Sequence, residues 1–147
     1  MTTVRQILRQ KSGKYWYVSI DANIKDALDE MAKHDIGAVL VLEDEKLVGI
    51  FSERDFAREV AEQGEVNMDT PITYSMTNPV YYVTPDHTTE ECMALMTDKH
   101  FRHLPVIDQD KLVGVISIGD VVKDIISDRE SMIKGLENYI TGHEFRL

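Results

Sequence analysis

The alternation of hydrophobic and polar positions runs through the same order twice along the chain. The stretch Lys46–Asp55 (KLVGIFSERD) recurs as Lys111–Asp120 (KLVGVISIGD), at an offset of 65 residues. The same offset relates Tyr17 to Tyr82, and no gap is needed between these points. A register of this length does not arise by chance, so the chain is a tandem repeat of two structural units.

Each copy has the periodicity of a strand, a helix, two further strands and a second helix. Apolar residues spaced three and four apart predict the first helix of each copy. They are Ile24, Ala27, Leu28, Met31 and Ala32 in the first copy and Thr89, Cys92, Met93 and Met96 in the second. Strands are predicted over 15–19, 38–42 and 47–51, and over 80–84, 104–107 and 112–116. The closing helices are predicted over 53–63, with Gly64 as a stop signal, and over 119–126.

We predict an α+β fold in which two β-α-β-β-α repeats pack through their sheets about a pseudo-two-fold axis. One copy of about 55 residues is too short to cover both faces of a sheet, so each copy needs the other. Repeat 1, with an N-terminal helical segment, covers 1–66, repeat 2 covers 67–128, and a helical tail covers 129–147. The polar segment 65–71 is the predicted linker. An apolar stripe in the tail (Met132, Ile133, Leu136 and Ile140) either packs on the body or meets a second chain.

The composition is typical of a globular protein with an acidic surface. Apolar residues make up 43% of the chain, charged residues make up 29%, and the net charge is −10. Such a surface repels phosphodiester backbones, so we expect no nucleic-acid partner, and an anionic ligand needs a local cationic patch. The apolar run 38–42 is far too short to span a membrane, and no secretion signal is recognisable. We therefore expect a cytoplasmic protein without a membrane partner.

The paired motifs Gly49–Asp55 and Gly114–Asp120, with Arg102–Val106 between them, resemble a known repeat. It is the cystathionine-β-synthase-type (CBS) repeat, whose pairs are called Bateman modules. The resemblance extends from about Val4 to Ser127. It implies a non-catalytic regulatory module with two clefts between its repeats that bind AMP, ATP, NAD(H) or S-adenosylmethionine. It also implies a homodimer and a regulated partner protein, which the sequence does not identify.

Ser52 and Asp55, and their counterparts Ser117 and Asp120, lie where an apolar strand leads into a helix. Free N–H groups and the helix dipole favour a phosphate at such a point, and a carboxylate there can accept both hydroxyls of a ribose. The same tetrapeptide can also be a capping box that needs no ligand. Its recurrence in both copies, together with the family resemblance, makes the two aspartates the strongest candidate ligand contacts.

The second copy carries Arg102 and His103 where the first has Gly37 and Ala38. The resemblance assigns this cationic pair to the ligand phosphate in the cleft of Asp120, and Arg54 could reach the same anion. The cleft is completed by Lys14, Trp16, Ile36 and Ala38. The alternatives are a solvated Arg102, a structural His103 and a core Trp16.

A second cleft is expected around Asp55, with Ser52, Thr77, Tyr81 and Phe101 as its other residues. It has no residue equivalent to Arg102, so we predict that it binds phosphate more weakly or stays empty.

Catalytic chemistry is not predicted. Cys92, the only cysteine, lies on an apolar helix face and is expected to be inert, and one cysteine allows neither an intrachain disulfide nor a cysteine metal cage. His100 and His103 lack acidic ligands at helical spacing, so no metal site and no catalytic cofactor are expected. Two other functions remain open: a structural dimeric adaptor with unused clefts, and a small metal- or nucleotide-dependent enzyme.

Overall fold

The computed structural model describes residues 2–11 and 13–140, with side chains up to residue 136. The helices and strands are α1 (Val4–Gln10), β1 (Tyr17–Ser19), α2 (Ile24–His34), β2 (Ala38–Glu43), β3 (Lys46–Ser52), α3 (Glu53–Gln63), a 3-10 turn (Ile72–Tyr74), α4 (Thr89–Lys99), β4 (His103–Asp108), β5 (Lys111–Ser117) and α5 (Ile118–Ile140). The predicted α+β class and the doubled order of elements are confirmed.

Each repeat builds a small sheet around an antiparallel hairpin, β2–β3 or β4–β5. The two hairpins turn at equivalent residue pairs, 44–45 and 109–110, whose φ angles are all positive, as two-residue hairpin loops require. Each hairpin also has a register shift at the same place, after Val41 or Val106. The strands β3 and β5 lie next to each other where the repeats meet.

The first strand of the second repeat is shorter than the sequence pattern predicts. In repeat 1, β1 pairs in parallel with β2, and the Leu40 N–H donates to the Trp16 carbonyl (3.2 Å). In repeat 2 the residue equivalent to Leu40 is Pro105, which has no N–H to donate. The predicted strand over 80–84 is therefore reduced to a single bridge between Val83 and Val106.

The hydrophobic core consists of two clusters, one for each repeat, and each is completed by a segment from elsewhere in the chain. Val4 and Ile7 of α1 pack into the cluster of repeat 2, although they lie at the start of repeat 1 in sequence. In the same way Ile72 is buried in the cluster of repeat 1. Backbone hydrogen bonds fix both crossings, since the Val4 N–H donates to the His87 carbonyl (2.8 Å) and the Ile72 N–H donates to the Ala22 carbonyl (2.8 Å).

This exchange changes the meaning of the boundaries expected from the sequence. The helical segment at the start of residues 1–66 packs with the second repeat and not with the first. The segment 65–71 is not a free linker, because the carbonyl of Thr70 accepts a hydrogen bond from the Ile24 N–H (3.0 Å). The repeats are continuous in sequence, whereas their cores are not.

The apolar stripe on the tail does not pack on the body over its described residues. Met132, Ile133 and Leu136 are each more than half exposed. Ile140, the last residue of the predicted stripe, lies outside the residues whose side chains are described. Over the same described part of the chain, no helix has the length and apolarity needed to cross a bilayer.

Candidate ligand-binding clefts between the repeats

The segments that enter β2 and β4 are held by the same device in both repeats. The helices α2 and α4 are each followed by a residue in the left-handed conformation, Asp35 (φ 52°) and His100 (φ 61°), and this residue turns the chain toward the next strand. The Gly37 carbonyl then accepts a hydrogen bond from the Glu53 N–H (3.0 Å), at the start of α3. In repeat 2 the Arg102 carbonyl accepts the equivalent bond from the Ile118 N–H (2.8 Å), so residues 36–38 and 101–103 lie beside the first turns of the closing helices.

Both serine–aspartate pairs form capping boxes. The Asp120 Oδ2 accepts from the Ser117 N–H (2.8 Å), and the Ser117 Oγ accepts from the Asp120 N–H (3.2 Å). Ser52 and Asp55 make the same two bonds at 2.9 and 3.2 Å. The capping role is therefore present in both copies. It does not exclude ligand binding, because a carboxylate can accept more than one hydrogen bond.

Asp120 has an additional cationic partner, which the sequence analysis missed. The Lys11 Nζ lies 2.7 Å from the Asp120 Oδ2 and 3.1 Å from the Val115 carbonyl oxygen. Burial alone would raise the pKa of Asp120, but the hydrogen bonds from Lys11 and Ser117 together hold that pKa below its usual value. Lys11 follows α1, so the exchange of α1 onto repeat 2 brings it here.

A cavity of about 410 Å³, which we call the Asp120 cleft, lies between the repeats beside this pair. Most of the residues predicted for it line its wall, namely Lys14, Trp16, Ile36, Ala38, His103 and Ser117. Asp120 does not itself border the cavity, but it is hydrogen-bonded to Lys11 and Ser117, which both do. One face of the Trp16 indole is stacked on the His34 ring, with centroids 3.5 Å apart and planes 3° apart. The indole is therefore held in one orientation at the cavity wall.

A second cavity of about 380 Å³, the Asp55 cleft, lies on the other side of the same junction. Ser52, Asp55, Thr77 and Phe101 line it as predicted. Tyr81 does not border the cavity, but its ring packs against that of Phe101 with centroids 5.5 Å apart. The Thr77 Oγ1 lies 3.4 Å from the Asp55 Oδ1.

The distribution of positive charge differs from the sequence-based assignment. Arg54 and Arg102, both expected beside Asp120, line the Asp55 cleft together with Arg58 and Lys99. The expectation that this cleft lacks a cationic side chain of the Arg102 kind is therefore wrong. Arg54 is held on this side because its Nη1 donates to the His100 carbonyl (3.1 Å). Which cleft binds a ligand more tightly stays a prediction.

The two clefts share a wall. Gly37, Ile50 and His103 border both cavities. A Cβ atom on Gly37 would lie 3.5 Å from the His103 Cε1, an ordinary van der Waals distance, so the ring packs against the chain of repeat 1 at this point. Burial, and then the charge of Lys11, lowers the pKa of His103 below its usual value. The environment of His103 thus favours the uncharged ring, which offers a neutral hydrogen-bonding group at the boundary between the clefts.

Comparison with known proteins places this architecture in a family. The CBS domain family matches the sequence twice, over residues 4–62 and 68–127. The chain belongs to the CBS domain family. The two matches coincide with the two repeats, which confirms the resemblance seen in the paired motifs.

Several relatives of this CBS pair span nearly its whole length. CBSX3, a mitochondrial CBS domain-containing protein of Arabidopsis thaliana, is 33% identical over an alignment of 150 positions, which covers 96% of this chain and 73% of CBSX3. A CBS-domain protein from Burkholderia ambifaria, whose structure is solved, is 45% identical in sequence, with a TM-score of 0.82 over 86% of this chain and 96% of its own. CBSX2, crystallised in complex with AMP, is 25% identical, with a TM-score of 0.70 over 88% and 99% of the two chains.

The other groups with possible chemistry in the CBS pair lie outside the clefts or form no site. Among the residues that the structure describes, no group of three or more histidine, cysteine, aspartate or glutamate side chains is arranged to hold a metal ion. Cys92 is fully buried on α4 in the core of repeat 2. Burial, followed by the charges of Glu91 and Glu90, raises its pKa to about 11.

Cys92 of the CBS pair is consequently expected to be inert in the folded protein. At pH 8 its reaction with an aromatic disulfide reagent should be at least about a hundredfold slower than after denaturation, because both access and the thiolate fraction are reduced. The colour released by the reagent measures the rate, and the same sample in guanidinium chloride is the control. Rapid stoichiometric reaction of the native protein would contradict this burial.

Proposed function

We propose that this CBS pair is a regulatory module that binds an adenine nucleotide in the Asp120 cleft and catalyses no reaction on it. The observation that carries the proposal is the composition of one cavity. Flat apolar surfaces and cationic groups border the same cavity of 410 Å³, a volume within the range of small-molecule sites, and the ribose acceptor Asp120 is hydrogen-bonded to two of its lining residues, Lys11 and Ser117.

Each part of a nucleotide has a matching group in this cleft. The adenine would lie between the indole of Trp16 and the chain at Ile36 and Ala38, because flat apolar surfaces favour a heteroaromatic ring. The ribose hydroxyls would donate to Asp120. The phosphate would lie near Lys14 and His103, in a protein whose overall charge of −10 otherwise repels it.

The Asp55 cleft is proposed as a second site for the same class of ligand. Its guanidinium groups, Arg54, Arg58 and Arg102, match the bidentate geometry of phosphate oxygens. Arg102 directly precedes His103 of the shared wall, so its field extends toward a phosphate in the Asp120 cleft. AMP, ATP and NAD(H) are therefore all candidates, and the number of phosphates that each cleft accepts would separate them.

The regulatory part of the proposal follows from where the clefts lie. The Asp120 cleft is bordered by Trp16, Ile36 and Ala38 of repeat 1 and by His103 and Ser117 of repeat 2. A ligand that touches both repeats favours one relative arrangement of them, and a partner protein can read that arrangement. CBSX2, whose crystal structure contains AMP, supports the choice of ligand. In the cytoplasm, the location expected from the sequence, the module would meet the free nucleotide pool.

A thermal-shift and fluorescence panel of AMP, ADP, ATP, NAD, NADH and S-adenosylmethionine tests the proposal. Trp16 is the only tryptophan, so its emission reports directly on the Asp120 cleft. We expect saturable quenching by at least one adenine nucleotide, together with stabilisation of about 2.7 kcal/mol at a hundredfold excess over Kd. Guanosine monophosphate serves as the control. The proposal fails if no adenine compound changes either signal, and turnover of a bound nucleotide would show an enzyme instead.

A structural homodimeric adaptor is the second candidate function, and the exposed stripe of α5 favours it. Ile126, Met132 and Leu136 are 50–67% exposed on one long helix. Surfaces of this kind mark interaction sites, and a second copy of the chain is the simplest occupant. If this is the function, the melting temperature will rise with protein concentration and will not respond to any nucleotide of the panel.

A further inference from the structure

We propose that Lys11 makes the Asp120 cleft selective for adenosyl ligands that carry a negative charge. This inference rests on the proposed function, because it concerns the same cleft and the same ribose acceptor. Lys11 belongs neither to the paired motifs nor to the cationic groups predicted from the sequence, and it enters the cleft only because α1 crosses to repeat 2.

The ammonium group of Lys11 is bonded to one of the two carboxylate oxygens that a ribose diol would use. Its Nζ lies 2.7 Å from the Asp120 Oδ2, and the two side chains are only 37% and 24% exposed. The distance is typical of a charge-assisted hydrogen bond, and the partial burial of the pair reduces its screening by salt. A ribose diol that donates to both oxygens of this carboxylate must therefore displace the ammonium group from Oδ2 or share that oxygen with it.

The pseudo-symmetric cleft provides a comparison within the same molecule. The crossing segments are related by an offset of 68 residues, since Leu8 lies against Gly114 as Met76 lies against Gly49, so the position equivalent to Lys11 is Pro79, which carries no charge. The carboxylate equivalent to Asp120 is that of Asp55, and its neighbour is the Thr77 hydroxyl (3.4 Å). The two ribose acceptors thus have the same cap but different partners, a cation for Asp120 and a neutral hydroxyl for Asp55.

The charge of the ligand decides whether displacing Lys11 is costly. A neutral nucleoside that takes the carboxylate leaves the ammonium group without a counter-charge in a partly buried cleft. A ligand with a phosphate supplies a new anion, and Lys11 already borders the cavity in which that phosphate would lie. Lys11 therefore lowers the affinity for adenosine more than the affinity for AMP.

Calorimetric titration of the full chain with adenosine and with AMP tests this role. The main variant is Lys11→Met, which removes the charge and keeps an unbranched side chain of similar length. We expect adenosine to bind more tightly and AMP more weakly, so that the ratio of the two dissociation constants (adenosine over AMP) falls about tenfold, equivalent to a change of about 1.4 kcal/mol. Lys11→Arg, which keeps the charge, should retain a ratio close to that of the original chain.

Lys25→Met is the matched control. Lys25 pairs with Asp29 on the exposed face of α2, so this substitution removes the same charge at a site away from the clefts. Its ratio should not change. Thermal melts of each variant without ligand show whether it is folded. If the original chain binds AMP and Lys11→Met leaves the ratio unchanged, the role of Lys11 is refuted while the proposed function stands. If the original chain binds neither ligand, the proposed function itself fails and this inference fails with it.

Discussion

Replacing Asp120 by asparagine is expected to weaken AMP binding by about ten- to a hundredfold. Hydrogen bonds to a charged acceptor contribute about 1.5–3 kcal/mol each, and the ribose would lose the charged acceptor that both of its hydroxyls use. Asparagine keeps one side-chain oxygen, which can still accept from the Ser117 N–H and preserve the helix cap. Calorimetry on the folded variant measures the loss, and a melting curve without ligand verifies the cap.

Asp55→Asn is the control for this experiment, since Asp55 has the same position in the other cleft and the same capping bonds. It should leave the tighter binding event unchanged if that event belongs to the Asp120 cleft. The reverse result, in which only Asp55→Asn reduces binding, would move the principal site to the arginine-lined cleft. No effect from either variant would remove both aspartates from the ligand contacts.

Gly49→Ala is expected to destabilise the protein by about 1–3 kcal/mol, the usual range for an overpacked core. A Cβ on Gly49 would overlap the Met76 side chain near its root, since it would lie 2.9 Å from Cγ and closer still to Sδ. Met76 belongs to the segment that covers the sheet of repeat 1, so it cannot move away without opening this core. Chemical denaturation monitored by Trp16 fluorescence measures the free energy of unfolding.

Two other glycines calibrate this result. Gly135, in α5, has no atom within 4 Å of a built Cβ, and Gly135→Ala should stabilise the helix by up to about 1 kcal/mol. Gly114 meets the end of the Leu8 side chain, with its Cδ2 at 2.8 Å, which can rotate away more easily. Gly114→Ala should therefore cost less than Gly49→Ala. Equal effects at all three positions would show that the crossing segments do not press on the sheets.

The local features of the fold could be predicted from the sequence because each has a local physical cause. The helix over 53–63 was predicted with its observed bounds, since Ser52 caps its start and Gly64 follows its end. The strand pairs were predicted because their apolar runs flank a short polar turn. The shortening of the strand over 80–84 was not predicted, although its cause is visible in the sequence as Pro105.

The long-range features could not be predicted in this way. Nothing in the periodicity of α1 shows that Val4 and Ile7 pack on the second repeat. Lys11 was missed for that reason, because its partner Asp120 lies in the other copy. The assignment of Arg102 to the Asp120 cleft was wrong because the direction of its side chain could not be predicted from the sequence. His103 borders both clefts, whereas Arg102 borders only the Asp55 cleft, as alternation along an extended chain permits.

The crossed segments determine which fragments of this protein can exist by themselves. A chain cut at residue 64 would yield an amino-terminal piece without Ile72 and a carboxy-terminal piece without Val4 and Ile7, so each piece would expose an unfinished apolar surface to water. Neither half is a self-sufficient building block, although the sequence divides neatly into two. The smallest unit of this architecture that can fold by itself is the pair of repeats. A single half expressed alone would aggregate or would need the other half to complete its core.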